Sequence, residues 1–91
     1  MKSINQKLNN VNFSDIEKLL KYHLLIALVD AGRLAGESLP TGHFVVVYNQ
    51  DENNFHLNDP GLPPRENWTV NKKKFMESFK DELIVVPWIQ Q

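Results

Sequence analysis

The chain contains no cysteine. That absence excludes a disulfide framework, a thiolate metal site and a cysteine nucleophile among its 91 residues. An excess of charge of either sign is missing as well. Ten Lys and Arg stand against 11 Asp and Glu, for a formal net charge of −1, whereas a general nucleic-acid binder shows a basic patch. The cationic cluster Lys72-Lys73-Lys74 is followed by Glu77, Asp81 and Glu82, so it reads as one turn of a solvated helix rather than a track for phosphates. Long apolar runs are also lacking. The longest, Leu24 to Val29, has six residues, far below the ~20 that span a bilayer. Met1 to Leu8 hold no apolar stretch of signal-peptide type. These absences predict a soluble cytoplasmic protein without a membrane span and without a nucleic-acid partner.

What is present suffices for one core. An apolar content of 42% in so short a chain predicts a single small domain over 1–91. Its polar, Asn-rich start, residues 1–13, is expected to be loosely ordered. Ser14-Asp15-Ile16-Glu17 has the form of a capping box and predicts a helix through Leu19 and Leu20. His23 then sits at the helix end, where it can meet the dipole. Leu24 to Val29 reads as a strand buried on both faces. Asp30 to Thr41, with two Gly and one Pro, predicts a loop carrying a helical turn at 31–34.

Two stretches then carry the chemistry: Gly42-His43-Phe44-Val45-Val46-Val47-Tyr48 and Phe55-His56-Leu57-Asn58-Asp59-Pro60-Gly61. Each reads as a strand, and the polar Gln50-Asp51-Glu52-Asn53-Asn54 between them predicts a hairpin. The head of the first strand then lies across from the tail of the second, which makes His43 and Asp59 neighbours. Alternation puts His43, Val45 and Val47 on one face and Phe44, Val46 and Tyr48 on the other. A histidine oriented by a carboxylate is the base half of a nucleophilic triad. Each residue also has a plain reading. A strand-end histidine can bond a carbonyl, and Asn-Asp-Pro-Gly is turn chemistry in its own right.

Leu62 to Thr69, with adjacent prolines and Trp68, predicts an extended crossing segment. Asn71 caps a helix from Lys72 to about Lys80, with Val70 and Phe75 as its hydrophobic staple. Phe75, Met76 and Phe79 form its buried stripe. Leu83 to Val86 is a last strand, stopped by Pro87. Trp68 and Trp88 read as packing aromatics on either side of the helix. The fold class is α+β, an antiparallel sheet with flanking helices.

Other chemistries find less support. Ser38 and Thr41 lie close to His43 in sequence, but nothing specifies the oxyanion hole that a hydroxyl nucleophile needs. His43, His56 and Asp59 are the residue types of a two-histidine, one-carboxylate metal set. His56, three residues from Asp59, points to the opposite face of a regular strand. No cofactor and no metal site is therefore assigned.

Gly-His-Phe-Val-Val-Val at 42–47, a short polar hairpin and a strand ending Asn-Asp-Pro at 58–60 resemble the papain-like peptidases related to the bacteriocin-processing domains of peptide exporters. The helix and apolar strand ending in Val29-Asp30, and the capped helix with Phe75 and Phe79, are similar too. The resemblance spans roughly residues 14–87. It implies a Cys-His-Asp triad on an antiparallel sheet, with His43 at the general-base position and Asp59 at the position that orients it. The family's cysteine lies on a helix near the start of its domain, shortly after an oxyanion-hole glutamine. Neither has a match: there is no Cys, and Gln6 has no nucleophile behind it. The chain thus resembles the C-terminal half of that domain. The implied function is a pseudoenzyme, non-catalytic alone, that serves as a binding or regulatory module for a peptide or protein. The other implied form is one half of a composite cysteine peptidase whose partner chain supplies the cysteine helix. A sheet missing that helix exposes apolar surface. This predicts a homo-oligomer, a partner chain, or residues 1–13 folded across the sheet. The residues by themselves also allow a plain α+β interaction domain in which the pair is incidental, or a hydrolase with a hydroxyl nucleophile.

Overall fold

A computed structural model describes residues 6–30, 32, 34, 42–60 and 64–87. Along the chain these form β1 (Gln6–Leu8), α1 (Phe13–Leu20), β2 (His23–Asp30), β3 (Gly42–Gln50), β4 (Asn54–Asp59), β5 (Arg65–Asn71), α2 (Lys72–Ser78) and β6 (Phe79–Pro87). The strands make one six-stranded sheet in the order β1-β6-β2-β3-β4-β5, antiparallel at every pairing. This is the α+β architecture that the sequence predicts. Ser38, Thr41 and Trp88 lie outside the described residues. Of the predicted turn at 31–34, Gly32 and Leu34 are described, helical and buried.

One face of the sheet holds the core. Leu25, Ala27, Val29, Val45, Val47, Phe55 and Leu57 are fully buried there, in one cluster with Ile16 and Leu20 of α1 and Phe75 of α2. Both helices therefore lie on the same face. Phe75 meets Phe55 edge-on at 5.0 Å, a favourable aromatic geometry. The other face carries Leu24, Ile26, Leu28, Phe44, Val46, Ile84 and Val86, none of which is fully buried. The Leu24–Val29 run is thus closed on one face, not on two. Its even-numbered residues are apolar although no described helix covers them.

α1 begins two residues earlier than the Ser14 box predicts. Asn12 is the cap: its Oδ1 accepts from the Asp15 amide at 2.9 Å, and the Asp15 carboxylate accepts from the Asn12 amide at 3.2 Å. A start here places the Phe13 ring 6.2 Å from Phe55, a contact that a start at Ser14 would forgo. The His23 ring, on the first residue of β2, donates from Nδ1 to the Leu19 carbonyl at 2.9 Å. It thereby satisfies one of the open carbonyls of the helix end.

Where a loose start is expected, Gln6–Leu8 forms β1 along β6. This segment extends the sheet edge and does not fold across the bare face. Leu8 and Val11 pack against the core. The Asn9 side chain donates to the Asp81 carbonyl at 3.0 Å, and the Val11 amide to the Asp81 carboxylate at 3.2 Å. Asp81 sits at φ 61, a left-handed conformation that Asp tolerates better than most residues. It lies in a bulge: Ala27 pairs with Leu83 and Val29 with Phe79, so Lys80, Asp81 and Glu82 bow out opposite Leu28.

Two further differences concern the C-terminal third. The segment read as a crossing is in its greater part the edge strand β5, paired with β4. Pro64 immediately precedes the strand, where a missing N–H costs no ladder bond. The second helix ends at Ser78, and β6 follows without a linker. Asn71 caps α2 as predicted, accepting from the Lys73 and Lys74 amides at 2.9 and 3.3 Å. Lys72, read from sequence as part of a solvated turn, is only 7% exposed. Its ammonium bonds Glu17 of α1 at 2.8 Å and lies 5.2 Å from the Phe55 ring centroid.

Candidate functional site

The site is built by the β3–β4 hairpin, and the hairpin by Asp51. The Asp51 carboxylate accepts from the amides of Asn53 and Asn54, each at 2.9 Å. The Asp51 amide bonds the Asn54 carbonyl at 2.9 Å. The bond from the Asn53 amide, foremost, holds the Asp51 carboxyl below its ordinary value, with help from Asn54 and His56. Outward from this turn, Gln50 pairs with Phe55 and Asn49 with His56.

The register then slips. Val47 pairs with Leu57 and Val46 with Asn58, so Tyr48 is an extra residue on β3. This bulge decides the geometry of the site. Without it, Asp59 would stand across from Val46 and share its face, away from His43. With it, the register that ends at Val46 and Asn58 carries Asp59, one residue further, to the level of Val45 on the core side, and His43 is its diagonal neighbour two residues on. The directly opposed arrangement expected from hairpin length is therefore corrected to a diagonal one. The Tyr48 hydroxyl donates to Asn67 of β5 at 2.7 Å, which ties the bulge to the next strand. A second bulge follows between β4 and β5, where Leu57 pairs with Trp68 but Asp59 with Arg65. Asn67 at φ 54 lies in it, with its amide bonded to the Asn58 side chain at 2.9 Å.

The two predicted residues meet: His43 Nε2 is hydrogen-bonded to Asp59 Oδ1. Their side chains are 28% and 13% exposed, so the pair is sheltered but reachable from solvent. A carboxylate can only accept, so Nε2 carries the proton and donates. In the neutral ring that leaves the lone pair on Nδ1. No hydrogen bond to Nδ1 is made among the described residues. The arrangement is an oriented general base that needs a nucleophile beside Nδ1 before it can activate anything.

His56 does not join this pair. It lies on the opposite face, donating from Nε2 to Asp51 at 3.2 Å, with its Nδ1 3.3 Å from the Thr69 hydroxyl. Among the described residues no group of three or more His, Asp or Glu side chains is placed to hold a metal. Nor is any described helix long and apolar enough to cross a membrane. The sequence reading left out Arg65, the ladder partner of Asp59. Its guanidinium lies 4.5 Å over the Trp68 ring, and Trp68 is half-buried against the core. A lone Arg after two prolines gives no signal of that position, because the β5 register that sets it depends on the second bulge.

An antiparallel sheet with helices on one face, and an imidazole and a carboxylate joined at one end of that face, make an α+β architecture consistent with a fragment of a papain-like peptidase domain. The chain belongs to the Peptidase C39 family, whose sequence model matches residues 2–88. The match covers nearly the whole chain, yet the chain contains no cysteine. No curated protein and no solved structure gives a match.

Proposed function

We propose that this chain is a Peptidase C39 domain that keeps the base and its orienting carboxylate, His43 and Asp59, but is not a peptidase by itself. It acts as a binding or regulatory module for a peptide or protein, in the cytoplasm. The observation that carries this reading is the His43–Asp59 hydrogen bond in a chain without a thiol. An imidazole base does no acyl-transfer chemistry without a nucleophile next to it. A second reading rests on Nδ1, to which no described residue is hydrogen-bonded. The chain would be one half of a composite peptidase, with the cysteine brought by a partner chain to the β3 end of the covered face.

The test has two arms. In the first, the isolated chain is incubated with unstructured fluorogenic peptides. The expected result is turnover no faster than buffer. Turnover that His43→Ala abolishes would overturn the proposal. In the second, long-range ¹H–¹⁵N spectra of the His43 ring near neutral pH should show the Nε2-protonated tautomer. Asp59→Ala should produce a mixture of tautomers. A wild-type ring already mixed would mean that the pair does not orient the base.

A further inference from the structure

We propose that the bare face of the sheet is a self-association surface, with a second copy of this chain as its occupant. The register makes the apolar residues there contiguous. Ile26 lies between Val46 of β3 and Ile84 of β6, Leu28 opposite Phe44, and Leu24 opposite Val86. Phe44 is 39% exposed, and the others are half-buried with no described helix over them. Contiguous apolar patches rimmed by polar side chains mark interaction sites.

Three features select a second copy. First, the centre of the patch carries no charged side chain, and the chain's formal net charge is −1. Two copies can meet without burying or opposing charge. Second, the margins are polar. Thr69, His56 and Asn58 lie on the β4–β5 side, and the Lys7–Glu82 ion pair on the β1 side. A two-fold axis through Ile26 would set apolar centre on apolar centre and polar rim on polar rim, the usual anatomy of an interface. Third, the area is adequate. The six strands, ~4.8 Å apart and about seven residues long on average, give a face of roughly 600 Å² per copy, about half of it the apolar centre and the rest its polar margins. Two such faces bury about 1,200 Å², the lower end of the range for stable interfaces. Two sheets so packed form a sandwich with strands near −30°. The product is a concentration-dependent dimer. This surface lies on the side of the sheet away from the His43–Asp59 bond, so dimerisation leaves that site open.

The inference does not depend on the function proposed above, and its test reads neither turnover nor the His43 ring. Sedimentation velocity of the full chain from about 1 to 500 µM is expected to move from monomer to twice that mass. Phe44→Lys should keep the monomer form across the range, with an unchanged far-UV circular dichroism spectrum. Lys73→Ala, at an exposed position on the helix-covered side, should dimerise as wild type does. Should Phe44→Lys fail to fold, Val46→Thr serves in its place and should weaken the dimer at least tenfold. Methyl shifts on dilution should be confined to Leu24, Ile26, Leu28, Val46, Ile84 and Val86. A wild type that stays monomeric throughout would overturn the proposal and leave the face to a different chain. So would a dimer that survives both substitutions, or shifts centred on Leu57 and Val70.

Discussion

The covered and the bare face of this sheet are made from the same three central strands and nearly the same residue types, yet they have different fates. On the covered side Leu25, Ala27, Val45, Val47 and Leu83 are fully buried beneath α1 and α2. On the bare side their immediate neighbours Leu24, Ile26, Phe44, Val46 and Ile84 remain half-buried or exposed. Composition does not separate the two. What separates them is where two short amphipathic helices land, and both land on the side of Val45 and Phe55. The candidate site lies at one end of the covered face, so a molecule docked on the bare face does not touch the imidazole. A partner that brings a nucleophile has to approach along the end of the sheet.

This contrast can be broken by substitution. The largest effect is expected at Phe55, which contacts Phe13 and Phe75 and is fully buried. Phe55→Ala should cost about 3–5 kcal/mol by urea unfolding, a large fraction of the ~5–14 kcal/mol that a chain of this length has in all. Val46→Ala on the bare face should cost about 1 kcal/mol or less at monomer concentrations. Equal losses at the two positions would mean that the bare face is covered after all.

An intermediate effect is expected at the clasp between the helices. The Lys72 ammonium is sheltered, while the Glu17 side chain is 35% exposed. Glu17→Ala leaves that charge against Phe13 and Phe55 without its carboxylate, and should cost about 2 kcal/mol. Lys72→Met removes the charge but keeps the apolar stem, and should cost about 1 kcal/mol or less. The reverse order in thermal or urea unfolding would mean that the pair itself, rather than the buried charge, governs the docking of α1.

The smallest effect is a pH dependence at the hairpin. The Asp51 carboxyl is held below its ordinary value in the folded chain by the Asn53 amide first of all. A depressed folded-state value means that the contribution is fully present above the unfolded-state value. It is lost as pH falls through the folded-state value. The difference in urea midpoint between wild type and Asp51→Asn should therefore be constant from pH 7 to about 5 and shrink below about pH 4. A difference that grows on acidification would contradict the turn geometry.

Much of the fold is legible in the sequence because its signals are local. The cap at Asn71 depends on a side chain and amides two or three residues away, and it is found where predicted. The α+β class follows from apolar periodicities that the sheet and helices preserve. The cap of α1 is missed by two residues because Asn12-x-x-Asp15 and Ser14-x-x-Glu17 are both plausible boxes, and the contact of Phe13 with Phe55 decides between them. β1 and β5 are missed as strands because each is an edge, with a polar or proline-flanked sequence, stabilised by the neighbour it pairs with. Lys72 is misjudged because its shelter comes from α1, 55 residues away along the chain.

By itself the sequence determined that an imidazole and a carboxylate stand at the ends of two adjacent strands in a chain with no thiol. Strand ends and residue identities are properties of short stretches. Whether those two groups share a face was settled by the tertiary structure alone. Strand alternation flips with every extra residue, and the bulge at Tyr48, anchored to Asn67 on the next strand, turns Asp59 to the side of His43. The same long-range packing laid α1 and α2 on that side and put no described helix on the other apolar face. No local pattern could decide this, because both faces of the central strands are written in the same residues.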